Sequence, residues 1–216
     1  MPRRNRVDPW GDLQAVPARG LFTGNRGCLV DAAGRLVRHH RGSLWITCVT
    51  RFRAWRQPLG AAGRWTPIFF LDDAVALAAG HRPCGLCRRP AYTSYRDAVT
   101  RATGGGVPLP AAELNRRLSA ERLRPGRGVV RASDRRLWAA GIDTLPAGAV
   151  IVSRDQAPRL VLEDRLLPFS FDGWGLPIER PRRGEVQVLT PPTSIAALRH
   201  GYVPELHPSS AGGAGT

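Results

Sequence analysis

The chain has 216 residues, of which 43% are hydrophobic and six are tryptophan, so its composition excludes wholesale disorder and allows one large or two small cores. It carries 32 basic against 17 acidic residues, a formal net charge of +15, and every basic residue is arginine. No apolar run approaches the roughly 20 residues of a membrane helix, and no hydrophobic signal segment follows the first residues. We therefore expect a cytoplasmic protein without a membrane partner.

The excess of positive charge favours a polyanionic partner. Codon bias explains arginine in place of lysine, but it does not explain 32 basic against 17 acidic residues. Because arginine suits bidentate contact with phosphate, we predict nucleic-acid binding, and DNA in particular.

The first half of the chain predicts strands. Residues 1–19 are rich in Arg, Pro and Gly and predict a basic flexible arm. A hairpin is expected over 27–39 and a long strand over 43–58. In that strand Arg51, Arg53 and Arg56 are interleaved with aromatic residues, and Trp55 is placed to stack on a base. The alternative is an ordinary strand with its aromatic residues in the core and its arginines in water.

The stretch from Trp65 to Pro90 predicts a strand, a short helix and a cysteine turn. Asp72 is placed to cap the start of the helix, and Gly80 is suited to end it. Cys84 and Cys87 follow at the spacing that lets two thiolates reach one tetrahedral ion.

The second half predicts a separate module. A helix over 91–102 precedes a Gly- and Pro-rich linker at 103–110. An α+β C-terminal module at 111–208 then begins with an amphipathic helix over 111–124 and a short helix near 134–140, and continues with several short strands. Residues 209–216 predict a disordered tail. The expected fold class is α+β: a small antiparallel sheet with helices at 20–102, followed by the β-rich module.

The four cysteines are expected to be thiols or metal ligands in a reducing compartment. Cys28, Cys48, Cys84 and Cys87 together would form a closed tetrahedral zinc site. His39 and His40 are alternative fourth ligands. The other interpretation is that Cys28 and Cys48 are small buried hydrophobic residues without a metal.

A set of residues between about 65 and 89 resembles the N-terminal metal-binding domain of Ada-type DNA alkylation-repair proteins: Phe69, Phe70, Ala74, Leu77, Ala78, Ala79, Gly80, Arg82, Pro83, Cys84 and Cys87. The resemblance implies that Cys84 and Cys87 bind zinc within an Ada-like module at 20–102. The upstream Cys-x-x-x-Cys pair of that family, which includes its methyl acceptor, has no counterpart here. His81 also replaces the aromatic residue that precedes Arg-Pro in the family.

These observations lead to three functional hypotheses. The first is a DNA-binding protein with a structural zinc knuckle, acting in DNA repair or processing. The second is a repair enzyme in which Cys48 serves as alkyl acceptor or nucleophile. The third is a protein-interaction module. In the first hypothesis the phosphate contacts come from Arg51, Arg53, Arg56, Arg82, Arg88 and Arg89, and Trp55 stacks on a base.

Overall fold

The computed structural model describes residues 2–53, 63–123 and 134–212. Within these ranges the chain forms two six-stranded sheets and four α-helices, which confirms the predicted α+β class. The first sheet consists of β1 (Arg6–Val7), β2 (Leu13–Gln14), β3 (Phe22–Asn25), β4 (Ile46–Val49), β5 (Ile68–Phe70) and β6 (Arg82–Pro83). The second consists of β7 (Trp138–Gly141), β8 (Val150–Val152), β9 (Pro158–Val161), β10 (Arg165–Pro168), β11 (Ile178–Glu179) and β12 (Glu185–Val188).

The first sheet has the strand order β2-β1-β5-β3-β4-β6. Two of its pairs are parallel, β1 with β5 and β4 with β6. The first of these pairs corrects the expected flexible arm at 1–19, because β1 and β2 are strands of the sheet and the side chains of Val7 and Leu13 are buried. Burial of these two apolar side chains favours an ordered segment over a solvated arm.

Helix α1 (Asp73–Ala78) lies between the sheets and contacts both β5 and β8. The side chain of Asp72 accepts a hydrogen bond from the Val75 amide at 3.0 Å, as the sequence predicts for an N-cap. All six helical residues are buried, and the three alanines among them let the surrounding elements approach closely. Gly80 ends the turn with a φ of 82°, a conformation that L-residues with a Cβ rarely adopt.

The two halves of the chain share their hydrophobic cores. One cluster joins Phe70 and Val75 to Val150 and Leu189, and a second joins Leu77 and Tyr95 to residues of the second sheet. The expected modules at 20–102 and 111–208 are therefore packed on each other, and the segment at 103–110 connects two helices without separating two cores. These helices are α2 (Arg89–Ala102) and α3 (Ala111–Arg122).

The second sheet has the strand order β11-β10-β9-β8-β12-β7 and is antiparallel throughout. The short helix expected near 134–140 is wrong, because Trp138–Gly141 pairs with β12 as a strand. Helix α4 (Pro192–Arg199) follows this sheet and packs on α2. None of the helices in the described ranges is long and apolar enough to cross a membrane.

The segment after α4 folds back onto the start of α1. Tyr202 and the Glu205 amide each donate to the Asp73 carboxylate at 3.0 Å, and the His207 amide donates to Asp72 at 3.0 Å. The expected disordered tail at 209–216 is also ordered at its start, because Pro208–Ala211 forms a 3-10 helix. Residues 213–216 lie outside the described ranges.

Candidate metal centre

Strand alternation directs Cys48 away from the core that contains α1. In the first sheet Thr23 pairs with Cys48 on one side and with Phe69 on the other, so these three residues form a row across the sheet. Their neighbours Ile68 and Phe70 point to the opposite face and join the buried core. Because successive side chains of a strand alternate, the row containing Cys48 forms a second face.

The parallel pairing of β4 with β6 brings the cysteine turn to Cys48. Thr47 pairs with Pro83, and the Cys84 amide donates to the Thr47 carbonyl at 2.9 Å. The turn then brings Cys87 back beside Cys84. The Leu86 amide lies 3.4 Å from the Cys84 sulfur and donates toward it, a contact suited to a thiolate that also binds a metal.

The ligand atoms of Cys48, Cys84 and Cys87 lie within 4.8 Å of one another, so they form a group that could hold a metal ion. Cys84 is buried, and the other two cysteines are half-buried. We call these three residues the thiol cluster. Its donor set is soft, which favours zinc and other thiophilic metals over magnesium or calcium.

The three thiols of the cluster also affect each other's ionisation. Hydrogen bonding from Cys48, opposed by burial, lowers the pKa of Cys84 to about 5. Hydrogen bonding to Cys84 and burial raise the pKa of Cys48, and burial raises that of Cys87. The favoured metal-free state is thus one thiolate, at Cys84, next to the protonated thiols of Cys48 and Cys87. A bound divalent cation would remove the protons of these two thiols.

The thiol cluster lies in the wall of a cavity of about 310 Å³. The cavity is bounded by the outer face of the first sheet, by the cysteine turn and by the segment around Trp65. We call this cavity the thiol cleft. Besides the three cysteines, its lining residues are Thr23, Asn25, Ile46, Val49, Thr50, Phe52, Trp65, Pro67, Phe69 and Leu86.

Arg88 ties the thiol cluster to the rest of the fold. Its guanidinium makes two hydrogen bonds to the Asp73 carboxylate, at 2.6 and 2.8 Å, and a third to the Thr47 hydroxyl at 2.9 Å. It also stacks on the Phe22 ring at 3.7 Å. Arg88 directly follows Cys87 in the chain. Its buried side chain thus links the residue before Cys48 to the start of α1.

The fourth predicted cysteine ligand lies elsewhere. Cys28 is buried, donates toward the Val30 carbonyl at 3.5 Å and is not part of the thiol cluster. The alternative ligands His39 and His40 instead surround Trp45, with ring centroids 5.5 and 5.1 Å from it. The predicted closed site of four cysteines is therefore incomplete in the described residues.

The arginines assigned to phosphate contact fall into three groups. Arg51, Arg53 and Arg89 are exposed, as surface contact requires. Arg82 and Arg88 are buried instead, Arg82 donating to Asn115 at 2.9 Å, so both have structural partners inside the protein. Trp55 and Arg56 lie outside the described residues.

The thiol cleft itself is not predicted by the sequence analysis. Thr23 and Phe69 line it, but their shared face depends on the pairing of strands that are distant in the chain. The only local signal for this cleft is the alternation of side chains in β5, which places Phe69 on the face of the sheet opposite to that of Ile68 and Phe70.

Comparison with known proteins adds no assignment, since no protein-family model, curated protein or solved structure matches this chain.

Proposed function

We propose that this chain is a DNA-binding protein that holds a zinc ion through Cys48, Cys84 and Cys87. The observation that carries the proposal is the thiol cluster, in which Cys48 lies within 4.8 Å of Cys84 and Cys87, although it precedes them by 36 and 39 positions in the chain. Zinc commonly takes cysteine ligands of this kind, with two of them supplied by one Cys-x-x-Cys turn. The resemblance of residues 65–89 to Ada-type metal-binding domains supports the same metal and a DNA partner.

The charge distribution supports a polyanion at this face of the molecule. The exposed residues Arg51, Arg53, Arg64 and Arg89 are each next to, or two residues from, a residue of the thiol cleft. Three thiolates and one divalent cation carry a net charge of −1, so the surrounding arginines stabilise the centre as well as attract phosphate.

Metal content tests the first half of the proposal. Purified protein is expected to contain about one zinc per chain, because three converging thiolates bind this ion tightly. Cys84→Ser should lose the metal, whereas the matched control Cys28→Ser should keep it. Equal zinc in both variants would contradict the assigned ligand set.

Salt-dependent binding to duplex DNA tests the second half. Arg51→Glu/Arg89→Glu should weaken DNA binding by about tenfold or more and reduce the slope of log affinity against log salt. Arg182→Glu/Arg183→Glu, which changes two exposed arginines in the connection between β11 and β12, is the control of equal charge and should have a smaller effect. Equal losses in the two variants would show that only net charge matters.

A second candidate function is alkyl transfer to Cys48. The specific observation in its favour is that Cys48 is half-buried and lines an apolar cleft, where an electrophilic carbon could reach it. In this reaction the Cys48 sulfur, deprotonated by the bound metal ion, forms a new S–C bond, the C–O bond of an alkylated phosphate breaks, and the phosphodiester leaves as an anion.

Mass spectrometry after incubation with methylated DNA tests this candidate. One methyl group should appear on Cys48 and none on Cys28. Methylation of Cys28 to the same extent would indicate unspecific thiol reactivity.

A further inference from the structure

Among the Cys, His, Asp and Glu residues of the chain, three are placed to bind one ion at the thiol cluster. Every Cys, His, Asp and Glu of the sequence falls within the described residues, because 54–62, 124–133 and 213–216 contain none of these types. Among all of them, only Cys48, Cys84 and Cys87 form a group close enough to bind one ion. Zinc with three protein ligands keeps one coordination position for an external molecule.

The thiol cleft provides the space for that molecule. All three cysteines line it, and its volume of about 310 Å³ lies at the lower end of the range for small-molecule sites. Most of the other lining side chains are apolar, and three of them are aromatic: Phe52, Trp65 and Phe69. Such walls favour an external ligand with an apolar or aromatic body over a hydrophilic one.

From this arrangement, and resting on the proposed metal site, we propose that the fourth ligand is a small thiol whose apolar body occupies the thiol cleft. The sulfur of such a molecule matches the soft character of the three cysteine ligands. When it binds, a metal–sulfur bond forms, the water on the metal leaves, and the S–H proton passes to solvent, with no change of oxidation state.

The surrounding charges are compatible with this step. A fourth thiolate brings the centre to a net charge of −2. Two exposed arginines are close in the chain to cleft residues, since Arg51 lies between Thr50 and Phe52 and Arg89 follows Cys87 by two positions. Favourable interaction with these groups partly offsets the added negative charge.

Cobalt substitution tests this inference, because Co(II) reports its ligands by visible absorption. The Co(II) form of the full chain, kept reduced without added thiol, is titrated separately with benzyl mercaptan, 2-mercaptoethanol and benzyl alcohol. Benzyl mercaptan should raise the sulfur-to-cobalt charge-transfer absorption by about one third, as three thiolates become four. It should bind about tenfold or more tightly than 2-mercaptoethanol, and benzyl alcohol should leave the spectrum unchanged.

Two variants locate the ligand in the cleft. Phe69→Ala should reduce the preference for benzyl mercaptan over 2-mercaptoethanol, whereas Phe171→Ala, which removes an aromatic ring outside the cleft, should preserve it. Cobalt bound by three thiolates without a response to benzyl mercaptan would overturn the inference and leave the metal site intact. Equal affinity for the two thiols would also overturn it. Failure to bind cobalt at all would instead refute the proposed function on which the inference rests.

Discussion

At the scale of single residues, His81 is the most unusual side chain in the core. It is fully buried, and neither ring nitrogen has a hydrogen-bond partner. The ring lies between Trp45 and Phe70, at centroid distances of 5.1 and 4.6 Å. Burial and the nearby guanidinium of Arg26 hold the pKa of His81 well below its ordinary value, so the ring stays neutral.

Replacement of His81 by an apolar residue is therefore expected to stabilise the protein. His81→Leu removes two unsatisfied polar atoms at nearly constant volume and should raise the free energy of unfolding at pH 7 by about 1 kcal/mol. The measurement is urea denaturation of both proteins. A loss of stability would show that the ring contacts matter more than the unpaired nitrogens.

The low pKa of His81 also predicts that the difference in stability between the wild-type protein and His81→Leu depends on pH. The unfolded chain binds a proton at His81 below about pH 6.5, and the folded chain does not. Folding must therefore release this proton when the pH is below about 6.5, which lowers the free energy of unfolding of the wild-type protein as the pH falls. Above pH 6.5 this penalty is absent. The advantage of His81→Leu should grow between pH 7 and pH 5 in the same denaturation series, and an advantage that stays constant would contradict the buried neutral state.

Local patterns predict individual site residues well where the signal lies in neighbouring residues. The Asp72 cap and the Cys84–Cys87 turn follow from such patterns. The separation of Cys28 from the thiol cluster does not, because it depends on Val30–Leu36 bridging and on the long-range pairing of β3 and β4.

At the scale of elements, α1 is held at both ends by distant side chains. Asp72 and Asp73 bind its start to Arg88 and to the segment after α4. At its other end Arg135 donates to the Ala78 carbonyl and Arg122 to the Gly80 carbonyl at 3.1 Å. Cations close to the carbonyls at and just after the C-terminal end of a helix are favourable, which accounts for the burial of these two arginines.

Removal of the Arg88 guanidinium should weaken both the fold and the metal centre. Arg88→Gln leaves the buried Asp73 carboxylate without its ion pair, which costs about 3–5 kcal/mol in comparable cases. Chemical denaturation of the metal-free protein measures this loss, and a zinc competition assay measures the expected drop in affinity. The exposed neighbour gives a matched control, Arg89→Gln, which should change the stability by less than about 0.5 kcal/mol. Equal stability of the two variants would contradict the role assigned to Arg88.

Element types were predictable where the pattern is strong, as for the amphipathic helix that contains Leu114 and Leu118, both buried. The region around Trp138 shows the limit of this reasoning. Its sequence is compatible with a short helix. In the structure these residues instead form backbone hydrogen bonds with the edge of β12, and the indole of Trp138 donates to the Thr190 carbonyl at 2.9 Å. Tertiary pairing of this kind overrides local propensity.

At the scale of the whole molecule, the shared cores predict a single cooperative unit. A chain ending at residue 110 would lose the partners of Phe70, Val75 and Leu77 in the second sheet and should not fold. The full chain should unfold in one transition, seen alike by tryptophan fluorescence and circular dichroism. Two separate transitions, or a folded fragment 1–110, would contradict the single cooperative unit and support a division into two modules.

This shared core could not be inferred from the sequence, because a Gly- and Pro-rich break is typical both of a linker between domains and of a connection between packed helices. Segment patterns identify which side chains are apolar. They do not identify the distant segment against which those side chains pack.

The fold-back of residues 202–207 onto Asp72 and Asp73 has a consequence for the order of events during synthesis. The ribosome completes both cysteine segments long before it makes the residues that bind the start of α1. A nascent chain therefore presents its thiols without this part of their supporting frame until residues 202–207 have been made. We expect metal loading to follow the synthesis of this segment, with the risk of thiol oxidation concentrated in the interval before it.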